Sequence, residues 1–159
     1  MSAVLSNPGV ARVRAALDAA GIMSAIVELP GAARTAQAAA AFLGCEIGQI
    51  ANSLVFRAAR SDTPVLVMSS GARRIDLERL GALMGESVEK ANADFVRQHT
   101  GFAIGGVPPV GHGLRAYVEK SLSRYETLWA AAGHPHTVFP LTYAELVRIT
   151  GGSEIEAAQ

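Results

Sequence analysis

The residues with the clearest chemical potential are concentrated in one loop. Residues 101–112 read GFAIGGVPPVGH, so four glycines, two consecutive prolines and a histidine fall within twelve positions. Gly105 and Gly106 can adopt positive φ and let a ligand approach bare backbone, while Pro108 and Pro109 stiffen the chain that follows. A rigid loop with free N–H groups suits a carbonyl, carboxylate or phosphate oxygen. The segment is therefore a candidate binding site, although an ordinary strand connection fits it equally.

Signatures of several common enzyme classes do not accompany this loop. Its glycines do not follow the G-x-G-x-x-G spacing of dinucleotide-binding folds, and no G-K-[ST] sequence follows as in a P-loop. The chain lacks a G-x-S-x-G motif, and its single cysteine, Cys45, has no catalytic partner nearby in the sequence. No catalytic triad can therefore be assigned, and Cys45 is interpreted as a small, partly buried thiol.

The histidines are a second source of candidate chemistry. His134 and His136 are separated by one proline, so on a strand they would share a face and could bind a metal ion. No third ligand stands out nearby, so we expect no metal and no other cofactor. A metal-dependent hydrolase is a hypothesis that rests on this pair alone. His99 falls in the last turn of a predicted helix, where a cation suits the helix dipole, and is interpreted as structural.

Serines and arginines supply further polar candidates. Ser69, Ser70 and Gly71 end a predicted strand, where their hydroxyl and N–H groups would line the mouth of a pocket or form an ordinary polar turn. Five arginines would form either a modest basic rim or a solvated face, namely Arg57, Arg60, Arg73, Arg74 and Arg115.

Composition limits the class of protein. The 159 residues are 50% hydrophobic and fit a single domain, residues 1–159, with a real core. Lys and Arg number 14 and Asp and Glu also number 14, which argues against generic DNA coating but allows a local basic patch for one RNA end. One cysteine excludes an intrachain disulfide. No signal-like N-terminus or long apolar stretch is seen, so we expect a cytoplasmic protein with no membrane partner.

The elements that must position these residues alternate irregularly along the chain. Apolar periodicity and capping residues predict helices that begin at Asn7, Thr35, Asp76, Asn92 and Thr142. Strands are predicted at 22–29, 53–59, 64–70, 114–118, 127–132 and 136–141. Because several strands are consecutive, the pattern favours an α+β fold with a mixed or antiparallel sheet, curled towards a barrel, over a doubly wound parallel sheet. The tail SEIEAAQ is expected to fray.

Three segments carry a resemblance to a known family. They are NSLVFRA with PVLVMSSGARRIDLERL, then TGFAIGGVPPVGH, then AAGHPHTVFPLTYAELVRITGG. Together they resemble the YbaK/prolyl-tRNA synthetase-associated editing domains, which are free-standing or synthetase-inserted aminoacyl-tRNA deacylases. The resemblance implies a twisted, barrel-like mixed sheet surrounded by helices. It also implies hydrolysis of the ester that joins a wrong, small amino acid to the 3′-terminal adenosine of a tRNA, usually the tRNA for proline.

The resemblance also implies which residues form the site. The residues predicted to be catalytic are Asn52, Gly105 and Gly106, with backbone N–H groups stabilising the oxyanion that forms when water attacks the ester. The residues predicted to bind substrate are Ser53, Ser70, Val107, Pro108, Gly111, His112 and His136. His136 is preferred over His134 as the sensor of the substrate side chain. The expected partners are a mischarged tRNA and, as a further candidate, an aminoacyl-tRNA synthetase.

Asn52 departs from the pattern of the family that the chain resembles. Many members carry a lysine at this position, which frequently determines activity. Asparagine can still donate hydrogen bonds to a carbonyl or phosphate, but it lacks the charge that makes such bonds about twice as strong. The substitution leaves two hypotheses open: a deacylase with a different amino-acid preference, or a non-catalytic module of the same fold that binds tRNA or a synthetase.

Overall fold

The computed structural model describes residues 3–159. Its helices begin where the sequence places capping side chains. They are α1 (Pro8–Ala19), α2 (Ala36–Leu43), α3 (Leu77–Met84), α4 (Ala93–Thr100) and α5 (Tyr143–Thr150). Each residue just before a helix accepts a hydrogen bond from a backbone N–H of the first turn, which confirms the five predicted helix starts. The longest helix in the described part has 12 residues, so none could span a bilayer, which needs about 20.

Eight strands form one mixed sheet. They are β1 (Val27–Glu28), β2 (Ile50–Ala58), β3 (Thr63–Ser70), β4 (Val88–Lys90), β5 (Ala116–Glu119), β6 (Leu128–Ala131), β7 (Thr137–Leu141) and β8 (Ser153–Ile155). Their order is β1-β7-β6-β2-β3-β5-β8, and β4 pairs with β2 beside β6. β2 pairs with β3 antiparallel and with β6 parallel. The predicted α+β class with a mixed sheet is confirmed.

Strand β3 contributes to two of the three buried apolar clusters. Its side chains alternate between the two faces of the sheet, as the period of a strand requires. Leu66 and Met68 join a core with α1 and α5 residues such as Val13 and Leu146. Val65 and Val67 join a second core with Leu80 of α3 and Ile155 of β8. Because both faces are covered, β3 is a nearly continuous apolar run.

The strand predicted at 22–29 is largely wrong. Only Val27 and Glu28 pair with β7, and the preceding segment is irregular. The reason is a side chain: the Arg14 guanidinium donates to the Ile22 and Ser24 carbonyls at 2.8 and 2.6 Å. These carbonyls are thus occupied without a neighbouring strand. Strand β4, whose three residues include only one buried side chain, was not predicted.

The predicted fraying of the C-terminal tail is also wrong. β8 pairs parallel with β5, and Ala157 is fully buried. The Glu119 carboxylate, itself 3% exposed, accepts hydrogen bonds from the N–H groups of Ser121 and Ala157. Burial opposes ionisation of Glu119, but these N–H donors lower its pKa below the usual value. Alternating apolar residues and a buried carboxylate therefore hold the tail.

Candidate functional site

One edge of β2 is open in the middle of the sheet. β3 pairs with β2 along residues 51–58. On the opposite edge, β6 pairs only with Ile50 and Ala51, and β4 pairs only with residues 56–58. Residues 52–55 therefore have no neighbouring strand on that side. This opening, called the sheet gap below, lies directly beside the residues that the resemblance singled out.

Backbone groups of β2 point into the sheet gap. The Gly71 N–H donates to the Ile50 carbonyl at 2.9 Å, and Pro64, which has no N–H, lies opposite Arg57. Alternation along an antiparallel pair then directs the N–H and C=O groups of Ser53 and Val55 away from β3. Pairing with β6 ends at Ala51 and pairing with β4 begins at Phe56, so neither ladder reaches the Ser53 groups. The gap thus offers free donors and acceptors to a ligand.

A small cavity of about 190 Å³ opens at the sheet gap. It is bounded by three parts of the chain: the loop before α2, the β2 edge with β6 and β7, and the glycine-rich loop. Its lining includes Ala33, Arg34, Thr35, Ala51, Asn52, Ser53, Ile104, Gly105, Val107, Trp129, Ala131, Pro135, Thr137 and Val138. Most of these residues are apolar, and the volume is enough for a small side chain.

Asn52 and Ser53 both reach this cavity, although neighbouring residues of a strand point to opposite faces. This is possible because the strand edge between them is open. The Asn52 side-chain amide is half-buried and makes no hydrogen bond within residues 3–159. Opposite it on β3, Ser69 is fully buried and its hydroxyl also has no partner in the described part. The Ser53 hydroxyl donates to the Met68 sulfur at 3.4 Å.

The two adjacent glycines of the loop play different parts. Gly105 has φ of +90° and lines the cavity, and its N–H donates to no described residue. Gly106 does not line the cavity. A Cβ added there would lie 3.0 Å from the His134 Cα and backbone nitrogen, so the missing side chain lets the two loops touch. Gly105 is therefore open to the cavity, whereas Gly106 allows the loop packing that holds the cavity wall.

Buried bonds fix the glycine-rich loop after Gly106. The His112 ring contacts the Pro108 carbonyl through Nε2 at 2.8 Å, and its Nδ1 accepts from the Leu114 N–H at 3.2 Å. Burial lowers the pKa of His112 and so favours its neutral form. At the other end of the loop, the Thr100 hydroxyl donates to the Val96 carbonyl and accepts from the Phe102 N–H. These hydrogen bonds hold both ends of the loop in place.

Several predicted site residues lie outside the cavity wall. The Ser70 hydroxyl donates to the Gly48 carbonyl at 2.9 Å. Pro108 is buried, and Gly111 accepts from the Arg12 guanidinium at 3.3 Å through its carbonyl. His136 lies beside His134, with ring centroids 5.2 Å apart, but neither histidine lines the cavity. The structure therefore brings together Asn52, Ser53, Gly105 and Val107 from the predicted set.

The structure adds residues that the sequence analysis missed. The cavity wall also contains Arg34, Trp129, Ala131 and Thr137, the last of which donates its hydroxyl to the His134 carbonyl. Only Trp129 carried a usable signal, because it is the single tryptophan of the chain. The others are ordinary residue types that become neighbours only when β6, β7 and the loop before α2 meet.

A wide groove of about 910 Å³ continues from the cavity along the other part of β2. The two spaces share Asn52, Ser53, Leu54, Ile104 and Val107. Apolar side chains form much of the groove, and its charged side chains are Arg73, Arg74, Asp76, Glu78 and Lys90. The site therefore has a confined part and an open, charged part.

The histidine pair shows no arrangement for a metal. The Nδ1 atom of His134 accepts the His136 N–H at 3.0 Å, so it is occupied by the backbone. Burial and the neighbouring His136 lower the pKa of His134. Within residues 3–159, no three His, Cys, Asp or Glu side chains are grouped as metal ligands would be.

Comparison with known proteins places the chain in a family. The aminoacyl-tRNA editing domain family matches residues 31–149. The uncharacterized protein YwhH of Bacillus subtilis (strain 168) is 31% identical over 123 residues, which are 76% of this chain and 78% of that protein. A proline–tRNA ligase of Thermosipho melanesiensis is 35% identical over 79 residues, which are 49% of this chain but only 14% of the ligase.

A solved structure extends the likeness to nearly the whole chain. It is described as "a putative trans-editing enzyme for prolyl tRNA synthetase", is 41% identical, and superposes with a TM-score of 0.89 over 96% of this chain and 98% of that one. The family match and the structural likeness agree with each other. The chain belongs to the aminoacyl-tRNA editing domain family.

Proposed function

We propose that this protein is a trans-editing deacylase that hydrolyses the ester of a mischarged tRNA in the cytoplasm. The observation that carries the proposal is the small cavity at the sheet gap, where the Asn52 amide, the free backbone groups of Ser53 and the Gly105 N–H meet. Family membership supports the reaction class. The similarity to a proline–tRNA ligase and to a structure described as a prolyl trans-editing enzyme supports tRNA for proline as the substrate.

The size of the cavity supports a small amino acid. At about 190 Å³, it is smaller than the roughly 300–1,000 Å³ of pockets that enclose drug-sized ligands. It can therefore hold an aminoacyl group of the size of alanine, serine, cysteine or 2-aminobutyrate, while the nucleotide must lie outside. Selection by volume is modest, because one methylene changes discrimination by about 1–3 kcal/mol.

The chemistry needs no side-chain nucleophile. Water adds to the ester carbonyl carbon, the bond from that carbon to the ribose oxygen breaks, and the ribose oxygen takes up a proton. In this proposal the Asn52 amide and the Gly105 N–H donate to the carbonyl oxygen as negative charge develops there. Preorganised donors of this kind contribute about 10²–10³-fold each.

A second candidate is a non-catalytic module that binds a tRNA end or a synthetase. It is favoured by one observation, the uncharged Asn52 in the cavity wall where the family that the chain resembles often carries lysine. Such a module would keep the cavity and the groove but would not speed hydrolysis. The two candidates therefore differ in turnover and not in binding.

The test is deacylation of a panel of tRNAs charged with alanine, serine, cysteine or 2-aminobutyrate, measured against the spontaneous rate. Both tRNA for proline and tRNA for alanine should be charged, so that the amino acid and the tRNA body are varied separately. We expect rapid release from at least one mischarged tRNA for proline, unaffected by a metal chelator. Binding without release from any member of the panel would establish the second candidate, and loss of activity with chelator would revive a metal-dependent hydrolase.

A further inference from the structure

We propose that the wide groove is a nucleotide subsite that holds the last nucleotides of a single-stranded tRNA 3′ end, with Arg74 and Lys90 contacting its phosphates. This inference rests on the proposed function. The groove and the small cavity share Asn52, Ser53 and Leu54 of β2. When an aminoacyl group occupies the cavity, its ester bond must lie at this shared wall. The attached ribose then enters the groove.

The groove has the size and the surfaces for nucleotides. Its volume of about 910 Å³ lies near the upper end of the range for ligand pockets. Leu54, Ile75, Leu77 and Val107 provide apolar lining against which bases can pack. Contacts of this kind tolerate any base, as binding to a common 3′ end requires.

The charges of the groove are available for phosphate. Arg74 and Lys90 are exposed and form no ion pair within the described residues. Arg73 is a third cation, but its guanidinium donates to the Gln159 carbonyl at 3.4 Å. Of the two acids, Asp76 accepts from the N–H groups of Glu78 and Arg79 at the start of α3. The groove therefore has one more cation than acids, in a chain whose net charge is zero.

Phosphate chemistry favours these side chains. A guanidinium binds a phosphate through two parallel hydrogen bonds, and an ammonium binds it as a point charge. Because Arg74 lies after β3 and Lys90 ends β4, the two cations approach the groove from different elements. They can thus contact two phosphates of an extended strand, which makes binding strongly dependent on salt.

The first test needs no catalysis. A fluorescent seven-nucleotide RNA ending in CCA is titrated by anisotropy with the wild type, the double variant Arg74→Gln/Lys90→Gln and the control Arg124→Gln, an exposed arginine outside the groove. With two phosphates neutralised, wild-type affinity should fall about sevenfold between 50 and 200 mM salt, since the slope is about −0.7 per phosphate for single strands. The double variant should lose this salt dependence and bind at least tenfold more weakly at 50 mM salt.

The second test separates the subsite from the reaction. Deacylation of mischarged tRNA is compared with deacylation of 3′-aminoacyl-adenosine, which has no phosphate. The double variant should raise KM for the tRNA at least tenfold and leave the adenosine ester unaffected. Wild-type failure to bind the RNA, equal binding by the double variant, or equal losses on both esters would overturn the subsite. RNA binding that depends on Arg74 and Lys90, without turnover of either ester, would instead overturn the deacylase and keep the subsite.

Discussion

The small cavity and the wide groove share one wall of β2, yet they are built from different groups. The cavity is lined mainly by small or apolar residues, with Asn52 at the shared boundary. The groove carries five charged side chains from the segment after β3, the start of α3 and the end of β4. A confined apolar space discriminates by shape, whereas an open charged surface attracts by long-range electrostatics. The difference teaches that selection and attachment of a ligand can be assigned to separate residues here.

Asn52 gives the sharpest test of the shared wall. Replacement by alanine removes one donor from the proposed oxyanion site, so kcat should fall by about 10²–10³-fold. Replacement by lysine restores a donor with charge and should retain or raise kcat. The measurement is single-turnover deacylation of mischarged tRNA, with RNA binding by anisotropy beside it. An alanine variant as fast as the wild type would remove Asn52 from the mechanism.

Gly106 tests whether the cavity depends on loop packing. In Gly106→Val the new Cβ would lie 3.0 Å from the His134 backbone, so the glycine-rich loop must move. A misplacement of about 1 Å can cost about 10²-fold in rate, and we expect a loss of this order in kcat/KM. The matched variant is Gly113→Val, since Gly113 has φ of +68° but no atom within 4 Å of an added Cβ. It should lose stability but keep most of its activity, and similar activity losses in both variants would contradict this division.

Ala131 tests selection by volume. Ala131→Leu fills part of the cavity, so we expect at least about tenfold lower deacylation, with 2-aminobutyryl-tRNA affected more than alanyl-tRNA. Binding of the CCA-ending RNA should stay unchanged because the groove is not altered. Ala82→Leu, on the exposed surface of α3, is the control. A loss of RNA binding in Ala131→Leu would show that the two spaces do not act separately.

His112 gives the smallest expected effect, on stability and not on binding. Burial lowers the pKa of its ring below the ordinary 6.5, so the unfolded chain binds the proton more readily than the folded one. The contribution of His112 to the free energy of unfolding is fully present above pH 6.5. It is lost as the pH falls towards the pKa of His112 in the folded protein. Denaturant unfolding at pH 8 and pH 5 should therefore show a smaller loss for His112→Asn than for the wild type. The pKa of His134 is also lowered, so the variant still loses part of its stability at low pH.

Local signals determined the helices and the position of the main strands. The side chains of Thr35, Asp76 and Asn92 bond the N–H groups of their own first turns, so sequence neighbours suffice to predict them. The consecutive apolar runs that became β2 and β3 were equally visible. Two failures had nonlocal causes: Arg14 occupies the carbonyls of the predicted first strand, and Glu119 holds the C-terminal tail.

The site divides in the same way. Gly105 was legible in the sequence because its backbone freedom has chemical meaning by itself, whereas Asn52 was singled out only through the resemblance to the family. The sequence did not show that Gly106 and His112 support the loop from outside the cavity, because this support depends on contacts with His134 and Pro108. The sheet gap and the groove exist only because β4 and β6 pair with different ends of β2. Sequence alone thus determined local elements and candidate chemistry, whereas tertiary pairing decided which groups remain free to bind.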